Sequence, residues 1–483
     1  MRLSDRARTL PESGIRKFFE LAEARDDVIS LGVGEPDFSA PWTARTAAID
    51  SLERGKTSYT ANRGMAALRE RIADHHGRYD QSYDPGEEIL VTTGASEAVD
   101  LAFRALVDPG DTVAVHEPTY ISYGPGIELA GGEQLTVPTR AEDDFALTRS
   151  ALEAAGAAEA DLLVLCYPNN PTGATMTDEQ LAEVAAFCRD NDLRVVADEI
   201  YAALTYGGDH ASIATQPGMR ERTVVVNGFS KAYAMTGLRL GYALGPAEAI
   251  DAMNRIHQYT MLSAPTTPQY AAIEALDRCD DEVAEMVDEY DRRRRLVVSR
   301  FNEMGLDTFE PGGAFYAFPD CGGDDEAFAE ELLEAQGVAV VPGSVFGEGR
   351  IGPPPRVVRD LDARAEGGDR PHRGVRRGAG LTAPECRRSG ETARAPAITG
   401  DFGNESLSDA RAPVTSWRAN RASRSSTSTT KTSSASWSPR SCATRATVSA
   451  SARRTRPRAV PGGWRTERST AYSVIITCRG RRG

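Results

Sequence analysis

Val224 to Gly245 reads VVVNGFSKAYAMTGLRLGYALG, and this stretch decides how the rest of the chain is to be read. A β-branched run ends in Asn227-Gly228, and Lys231 follows in a turn bounded by Gly228 and Ser230 before apolar residues resume. The spacing predicts a buried strand with a lysine just past its carboxyl end, the place where open α/β sheets hold ligands. Between Met1 and Gly349 the only other lysines are Lys17 and Lys56. An amine kept here, in a chain that otherwise avoids lysine, points to chemistry: a desolvated ε-amine forms a Schiff base with a carbonyl cofactor.

Outward from this stretch, strand and helix patterns alternate. Strands are predicted at ILVTT after Glu88, at TVAVH, at QLTVP, and at 161–166, 194–197, 223–226 and 239–244. Helices are predicted over 43–52, 65–76, 96–106 and 178–191, with another after Tyr120. Strands spaced by helices of this length predict an α/β fold with a mostly parallel, seven-stranded sheet and right-handed crossovers. On the amino-terminal side, 14–24 carries apolar residues at helical spacing and 28–33 is a short extended run. On the other side, 265–302 reads as one long helix or a broken pair, and a smaller α/β piece follows with GGAFYAFP, a helix over 326–336 and the strand VAVVPG. The expected organisation is an amino-terminal segment, 1–45, that joins a small domain; a large cofactor-binding domain, 46–290; a small carboxyl-terminal domain, 291–349; and a basic tail, 350–483, predicted to be disordered.

Charge separates the tail from the body. The 483 residues carry a net charge of −14, but 350–483 holds 27 Lys+Arg against 10 Asp+Glu, leaving 29 and 60 for 1–349. The body is thus near −31 and the tail near +17. So acidic a body with so little lysine resembles salt-adapted cytosolic proteins, whose carboxylates hold water at the surface while salt screens their repulsion. The start lacks the apolar run of a signal peptide, and nowhere do 18 apolar residues run together, so a cytoplasmic protein without membrane contact is expected. The seven cysteines form no CxxC pair, and His75-His76 lack metal-ligand spacing, so neither disulfides nor a metal are expected. The run ending at Arg295 reads as a solvated helix face rather than a nucleic-acid patch.

Five separated stretches point to one cofactor. A pyridine-aldehyde phosphate needs an amine, an anion at the ring nitrogen, donors to the ring oxygen, a phosphate cradle and a stacking face. Asp198 closes the strand RVVA, where its carboxylate would keep a pyridinium protonated, although an Asp capping a following helix fits the same position. Tyr201, three residues on, is expected to share a helical face with Asp198. In CYPNNPTG, Asn170 supplies an amide at another strand end, or simply an Asn-Pro turn. TTGASEA reads as strand, turn and helix start, where backbone N–H groups and the helix dipole converge on an anion. Ser230 and Arg239 would complete that site, and Tyr120 offers a flat face or is an ordinary core tyrosine.

Taken together with GVGEPDF, KTSYTANRGMAALRE, EPTY, DEIY and VVPGSVFGE, these motifs resemble the fold-type I pyridoxal-phosphate enzymes, and within them the class I aminotransferases. The resemblance covers about Leu3 to Gly349 and looks closest to archaeal aromatic and aspartate aminotransferases. It implies pyridoxal 5′-phosphate as cofactor and a ping-pong exchange of an amino group between an L-amino acid and a 2-oxo acid such as 2-oxoglutarate. It implies Lys231 as the Schiff-base lysine and proton carrier, Asp198 at the pyridine nitrogen, Asn170 and Tyr201 at the ring oxygen, and Tyr120 as the stacking face. Ala95, Ser96, Ser230 and Arg239 would hold the phosphate, with Tyr59 reaching in from a second subunit, so a homodimer is implied. Gly34, Asn170 and Tyr120 would line the substrate side.

The resemblance fails after Gly349. The family continues there with a strand, in a phrase like LRVSYA, whose arginine grips the substrate carboxylate; here stands RIGPPPRVVRDLDARAEGG, in which prolines disable strand pairing. Back-translated with suitable synonymous codons and read one nucleotide later, 354–381 yields LRVSYATSTRELKEAIDRIEAFVEGRD and a stop. A lost nucleotide near Gly349 or Arg350 is therefore expected to have replaced the native end, leaving Arg356 as an imperfect stand-in for the lost arginine. The rival readings are a β-lyase or decarboxylase on the same cofactor, a cofactor-holding protein of impaired activity, and a tail that binds nucleic acid. The last is disfavoured because the tail lacks interleaved aromatics and the body repels phosphate.

Overall fold

The structure, a computed structural model, describes residues 1–11, 14, 28–32, 34–347 and 475–478. Its strands are β1 (Ile29–Ser30), β2 (Ile89–Thr92), β3 (Thr112–Glu117), β4 (Glu133–Pro138), β5 (Leu162–Cys166), β6 (Arg194–Asp198), β7 (Thr223–Gly228), β8 (Gly241–Leu244), β9 (Tyr316–Ala317), β10 (Val338–Ala339), β11 (Val341–Pro342) and β12 (Ile475–Cys478). Seven of them form one sheet in the order β2-β8-β7-β6-β5-β3-β4. All its pairings are parallel except those of β8, which runs antiparallel to β2 and β7. The central strands read LLVLC, RVVAD and TVVVNG and are buried almost throughout, as parallel strands covered on both faces must be. Register aligns Cys166 with Asp198 and Asp198 with Val226, so the ends of β5, β6 and β7 open at one level, with Lys231 three residues past Gly228.

The helices are α1 (Asp5–Thr9), α2 (Trp42–Glu53), α3 (Ala66–His76), α4 (Ala95–Leu106), α5 (Tyr123–Ala130), α6 (Arg149–Ala155), α7 (Asp178–Asp190), α8 (Ala247–Thr260), α9 (Thr266–Arg278), α10 (Asp280–Glu303) and α11 (Asp325–Gln336). Alternation along the strands splits the core in two. Val195, Ala197 and Val225 pack with Ala48, Ile72, Val184 and Ala271 of α2, α3, α7 and α9. Val196, Val224 and Val226 pack with Phe103, Ile127 and Met253 of α4, α5 and α8. The sequence TDEQ starts α7 as a capping box: Thr177 accepts from the Gln180 N–H, and the Gln180 side chain accepts from the Thr177 N–H.

Several expectations need correction. Tyr201 shares no helical face with Asp198, because the chain turns after β6 and only a short 3-10 segment, Ala202–Leu204, follows. The strand expected from Arg239 begins at Gly241; Arg239 itself sits in a left-handed turn, φ 55°. Of the two alternatives for 265–302, the broken pair is the one found, interrupted at Cys279 between α9 and α10. VAVVPG is two strands, β10 pairing with β1 and β11 with β12. Helices α6 and α8 were not anticipated. The expected helix over 14–24 lies outside the described residues, apart from Gly14. So does the tail expected to be disordered, except that Ile475–Cys478 form β12, the parallel middle strand between β9 and β11.

Candidate active site

Lys231 stands where the sheet opens. Its Nζ donates to the carbonyl of Gly34 and lies 5.8 Å from the Tyr201 ring centre and 5.6 Å from that of Phe315. Burial among these rings pulls its ammonium down from the usual 10.5 to about 8; Glu35 and Asp198 oppose the shift and Arg239 adds to it. An amine so placed is a base at accessible pH.

Asp198 is buried at the end of β6. Desolvation raises its carboxyl to about 6, against the pull of the Tyr123 hydroxyl, the Ile200 N–H and Lys231; Glu199 adds to the rise. Tyr123 Oη donates to Asp198 Oδ2 at 2.8 Å, and Ile200 N donates to Oδ1 at 3.2 Å. Tyr120 stands edge-on to Tyr123, ring centres 5.5 Å apart. The Tyr201 hydroxyl is hydrogen-bonded to that of Tyr316 on β9. Asn170 carries a buried Oδ1 without a hydrogen-bond partner, an acceptor left to a ligand donor.

An anion site takes shape at the start of α4. Gly94, φ 78°, is its N-cap and offers no capping side chain. A Cβ on Gly94 would stand 2.7 Å from Arg239 Nη2, so glycine leaves room for the guanidinium beside the turn. A Cβ on Gly241 would come within 2.3 Å of the Ala95 nitrogen, so β8 presses directly against the helix start. Ala95 begins the helix, Ser96 is exposed beside it, and Ser230 is buried next to Lys231. Tyr59 is 81% exposed. Arg356 lies outside the described residues.

The structure thus gathers Lys231 and Gly34, Tyr201 beside Lys231, and Gly94 and Ala95 with Arg239. Tyr123 and Tyr316 were missed from sequence. Tyr123 had a faint signal, a second tyrosine three residues after Tyr120, whereas the Tyr201–Tyr316 contact spans 115 positions and depends on the fold. Among the described residues no cluster of His, Cys, Asp and Glu could hold a metal ion, and no helix is long and apolar enough to cross a membrane.

An amine, a carboxylate, the Tyr201 hydroxyl beside the amine and an open helix start flanked by a guanidinium are groups that a pyridine aldehyde phosphate requires, so the residues fit that cofactor. Such a site at the carboxyl ends of a mostly parallel sheet defines a pyridoxal-phosphate enzyme of the aminotransferase fold. The chain belongs to the aminotransferase class I and II family, whose sequence model matches residues 26–359. It is 42% identical over 355 residues to an aspartate aminotransferase of Pyrococcus abyssi, covering 72% of this chain and 91% of that one. It is 40% identical over 355 residues to aromatic-amino-acid aminotransferase 2 of Thermococcus litoralis, with the same coverage of 72% and 91%. The solved aromatic aminotransferase from Pyrococcus horikoshii superposes with a TM-score of 0.65 at 42% identity, covering 69% of this chain and 90% of that one. The protein is an aminotransferase, and its family depends on pyridoxal 5′-phosphate.

Proposed function

We propose that this aminotransferase exchanges the amino group of an aromatic L-amino acid or aspartate with a 2-oxo acid such as 2-oxoglutarate, and that Lys231 carries the α-proton. The observation behind this reading is the Lys231 amine, drawn down to about 8 at the open end of the sheet, near the buried carboxylate of Asp198. The names of the relatives support the choice of amino acids.

Bound here, pyridoxal 5′-phosphate supplies an electrophilic carbonyl carbon and a ring that draws electrons from the substrate α-carbon. The chain's residues do the rest. Lys231 Nζ, neutral in part near pH 8, would accept the proton from the substrate α-carbon and return it to the former carbonyl carbon, two atoms away across the nitrogen. Asp198, steadied by the Tyr123 hydroxyl, holds a positive charge at the ring nitrogen. Asn170 and Tyr201 donate to the ring oxygen, and Tyr120 covers the ring face. The N–H groups of Ala95 and Ser96, with Ser230 and Arg239, hold the phosphate. Gly34 presents its backbone on the substrate side, with Asn170 and Tyr120 beside it. Arg356 takes the place of a substrate-carboxylate arginine only imperfectly, given Pro353, Pro354 and Pro355 before it.

The working form is a homodimer in the cytoplasm of a salt-adapted cell. Tyr59, Tyr259, Met261 and Leu262 are exposed, at 81%, 92%, 45% and 40%. They sit around one seam: Asn62 Nδ2 donates to the Leu262 carbonyl at 2.6 Å, and Thr266 Oγ1 donates to the Ser58 carbonyl at 2.8 Å. Apolar exposure of this kind beside a site that lacks its Tyr59 supports a second copy. The domain reading is retained with it: 1–45 joins 291–349 in a small domain beside 46–290. A panel of L-amino acids with 2-oxoglutarate, followed by glutamate formation, tests the activity. Glutamate formed from tyrosine, phenylalanine or aspartate supports the reading; none from any of the three overturns the substrate choice.

A further inference from the structure

The turn before α4 is tied from behind by two residues that have no part in the site just described. Glu97, in the first turn of α4, accepts the Thr93 N–H on Oε2 and is bonded through Oε1 to His257 Nδ1 at 2.7 Å. His257 lies on α8, is fully buried, and has an Nε2 without a hydrogen-bond partner. We propose that Glu97 and His257 are a positioning pair that sets the Thr93–Gly94 turn so that the Ala95 and Ser96 N–H groups converge on a phosphate monoester. The proposal rests on the phosphate cradle of the preceding section and adds to it the residues that shape it.

Helix geometry shows why such a pair is needed. The first N–H groups of a helix have no carbonyl within it. Here Glu97 and Ala98 bond the Gly94 carbonyl, and Gly94 brings no side chain to cap Ala95 or Ser96. A serine or aspartate cap would steady this start and block it at once. Glu97 steadies it from the other side: one carboxylate oxygen holds the residue before the cap, the other faces His257, and the open N–H groups stay open. The carboxylate is held below the usual range. Burial alone would raise it, but the His257 and Thr93 donors outweigh burial. Ionised, it demands the proton on His257 Nδ1, and the buried pair joins α8 to the turn. An apolar pair would pack α8 against α4 at less desolvation cost, so a hydrogen-bonded carboxylate and imidazole here mark a need for direction rather than for burial.

The test compares apo-protein binding of pyridoxal 5′-phosphate with that of pyridoxal, which has the aldehyde and no phosphate, followed by the absorbance of the lysine adduct. Glu97→Ala should weaken the phosphorylated ligand about tenfold while leaving pyridoxal within about twofold, the loss of one charge-assisted hydrogen bond transmitted to the turn. His257→Phe should act in the same direction. Glu97→Gln keeps an acceptor for the Thr93 N–H and should recover most of the difference, which also covers the case in which the alanine variant folds poorly. Equal weakening of both ligands, or no weakening of either, overturns the proposal. Arg239→Gln separates it from the cradle reading. If that variant lowers the preference for the phosphorylated ligand and the Glu97 and His257 variants do not, only the positioning pair fails; if Arg239→Gln leaves the preference unchanged, the cradle itself fails and the pair with it.

Discussion

The Tyr123 hydroxyl donates to Asp198 Oδ2 at 2.8 Å, and both groups are buried. The contact joins the start of α5 to the end of β6, 75 positions apart, and stands against the desolvation that lifts the Asp198 carboxyl to about 6. A carboxylate that must face a pyridinium needs this donor, because burial without it favours the neutral acid.

Tyr123→Phe should therefore raise the Asp198 carboxyl further, by about one to two pH units for a lost hydrogen bond to a charged group. A folded-state value above the unfolded 3.8 means that the folded apo-protein binds the extra proton, so stability falls as pH rises from about 3.8 to about 6. In the variant that decline should extend above pH 6. Melting of both apo-proteins between pH 4 and 8 measures it, and superimposable profiles would contradict the role given to Tyr123.

Lys231 carries the opposite sign. Its folded value of about 8 lies below the usual 10.5, so between those limits the unfolded chain holds a proton that the folded one lacks, and this residue's contribution to stability grows as pH rises through the window. Its reactivity follows the neutral amine. Reductive alkylation of Lys231 in the apo-protein should climb to about pH 8 and level off; a rate still climbing beyond pH 10 would deny the shift. Lys231→Ala should yield no borohydride-stable cofactor adduct, and a modified lysine in that variant would remove Lys231 from its role.

What the sequence made legible follows the physics of each element. The sheet was readable because parallel strands buried on both faces are continuous apolar runs, as in LLVLC and TVVVNG, and because Lys231, Asp198 and Asn170 each follow such a run. Helix α8 was not, because its buried face reads Ile250, Met253, Asn254 and His257, half of it polar. The Tyr201 hydroxyl was placed on a helix that does not exist, since helical spacing was assumed across a strand end. Contacts such as Tyr123 with Asp198 and Glu97 with His257 leave almost no local trace, since their partners are brought together only when α5 and α8 dock.

The acidity of the body gives a prediction about solvent. Residues 1–349 sum to about −31, and many carboxylates already have arginine partners on the surface, such as Asp277 with Arg71 and Asp50 with Arg54. Salt weakens those pairs, but each is worth only about 0 to 1 kcal/mol, while the unpaired excess repels over the whole surface. Repulsion wins, so the melting temperature should rise in molar KCl. An unchanged or lower value would mean that the surface pairs matter more than the excess charge.

The final prediction concerns the end of the chain. Strand β12 lies between β9 and β11, pairing Ile475 with Tyr316 and Thr477 with Val341. Tyr316 meets Tyr201 beside Lys231, so the occupant of this middle position supports one wall of the site. The family match ends at residue 359, and the reading frame expected from the sequence after Gly349 would supply another candidate, LRVSYA, with an arginine for the substrate carboxylate. Three proteins separate the possibilities: the chain as written, a chain ending at Gly349, and a chain with one nucleotide restored at codon 350 that ends at the recovered stop. The chain ending at Gly349 should melt lowest, because β9 and β11 lose their common partner. All three should bind cofactor, since every residue proposed to hold it precedes Arg350. The restored chain should exceed the chain as written in kcat/KM by about ten- to a hundredfold, the worth of a charge-assisted contact of about 1.5 to 3 kcal/mol. Equal activity and equal melting of the restored chain and the chain as written would make the basic tail, with Ile475–Cys478 as its folded end, the native way in which this protein closes its sheet.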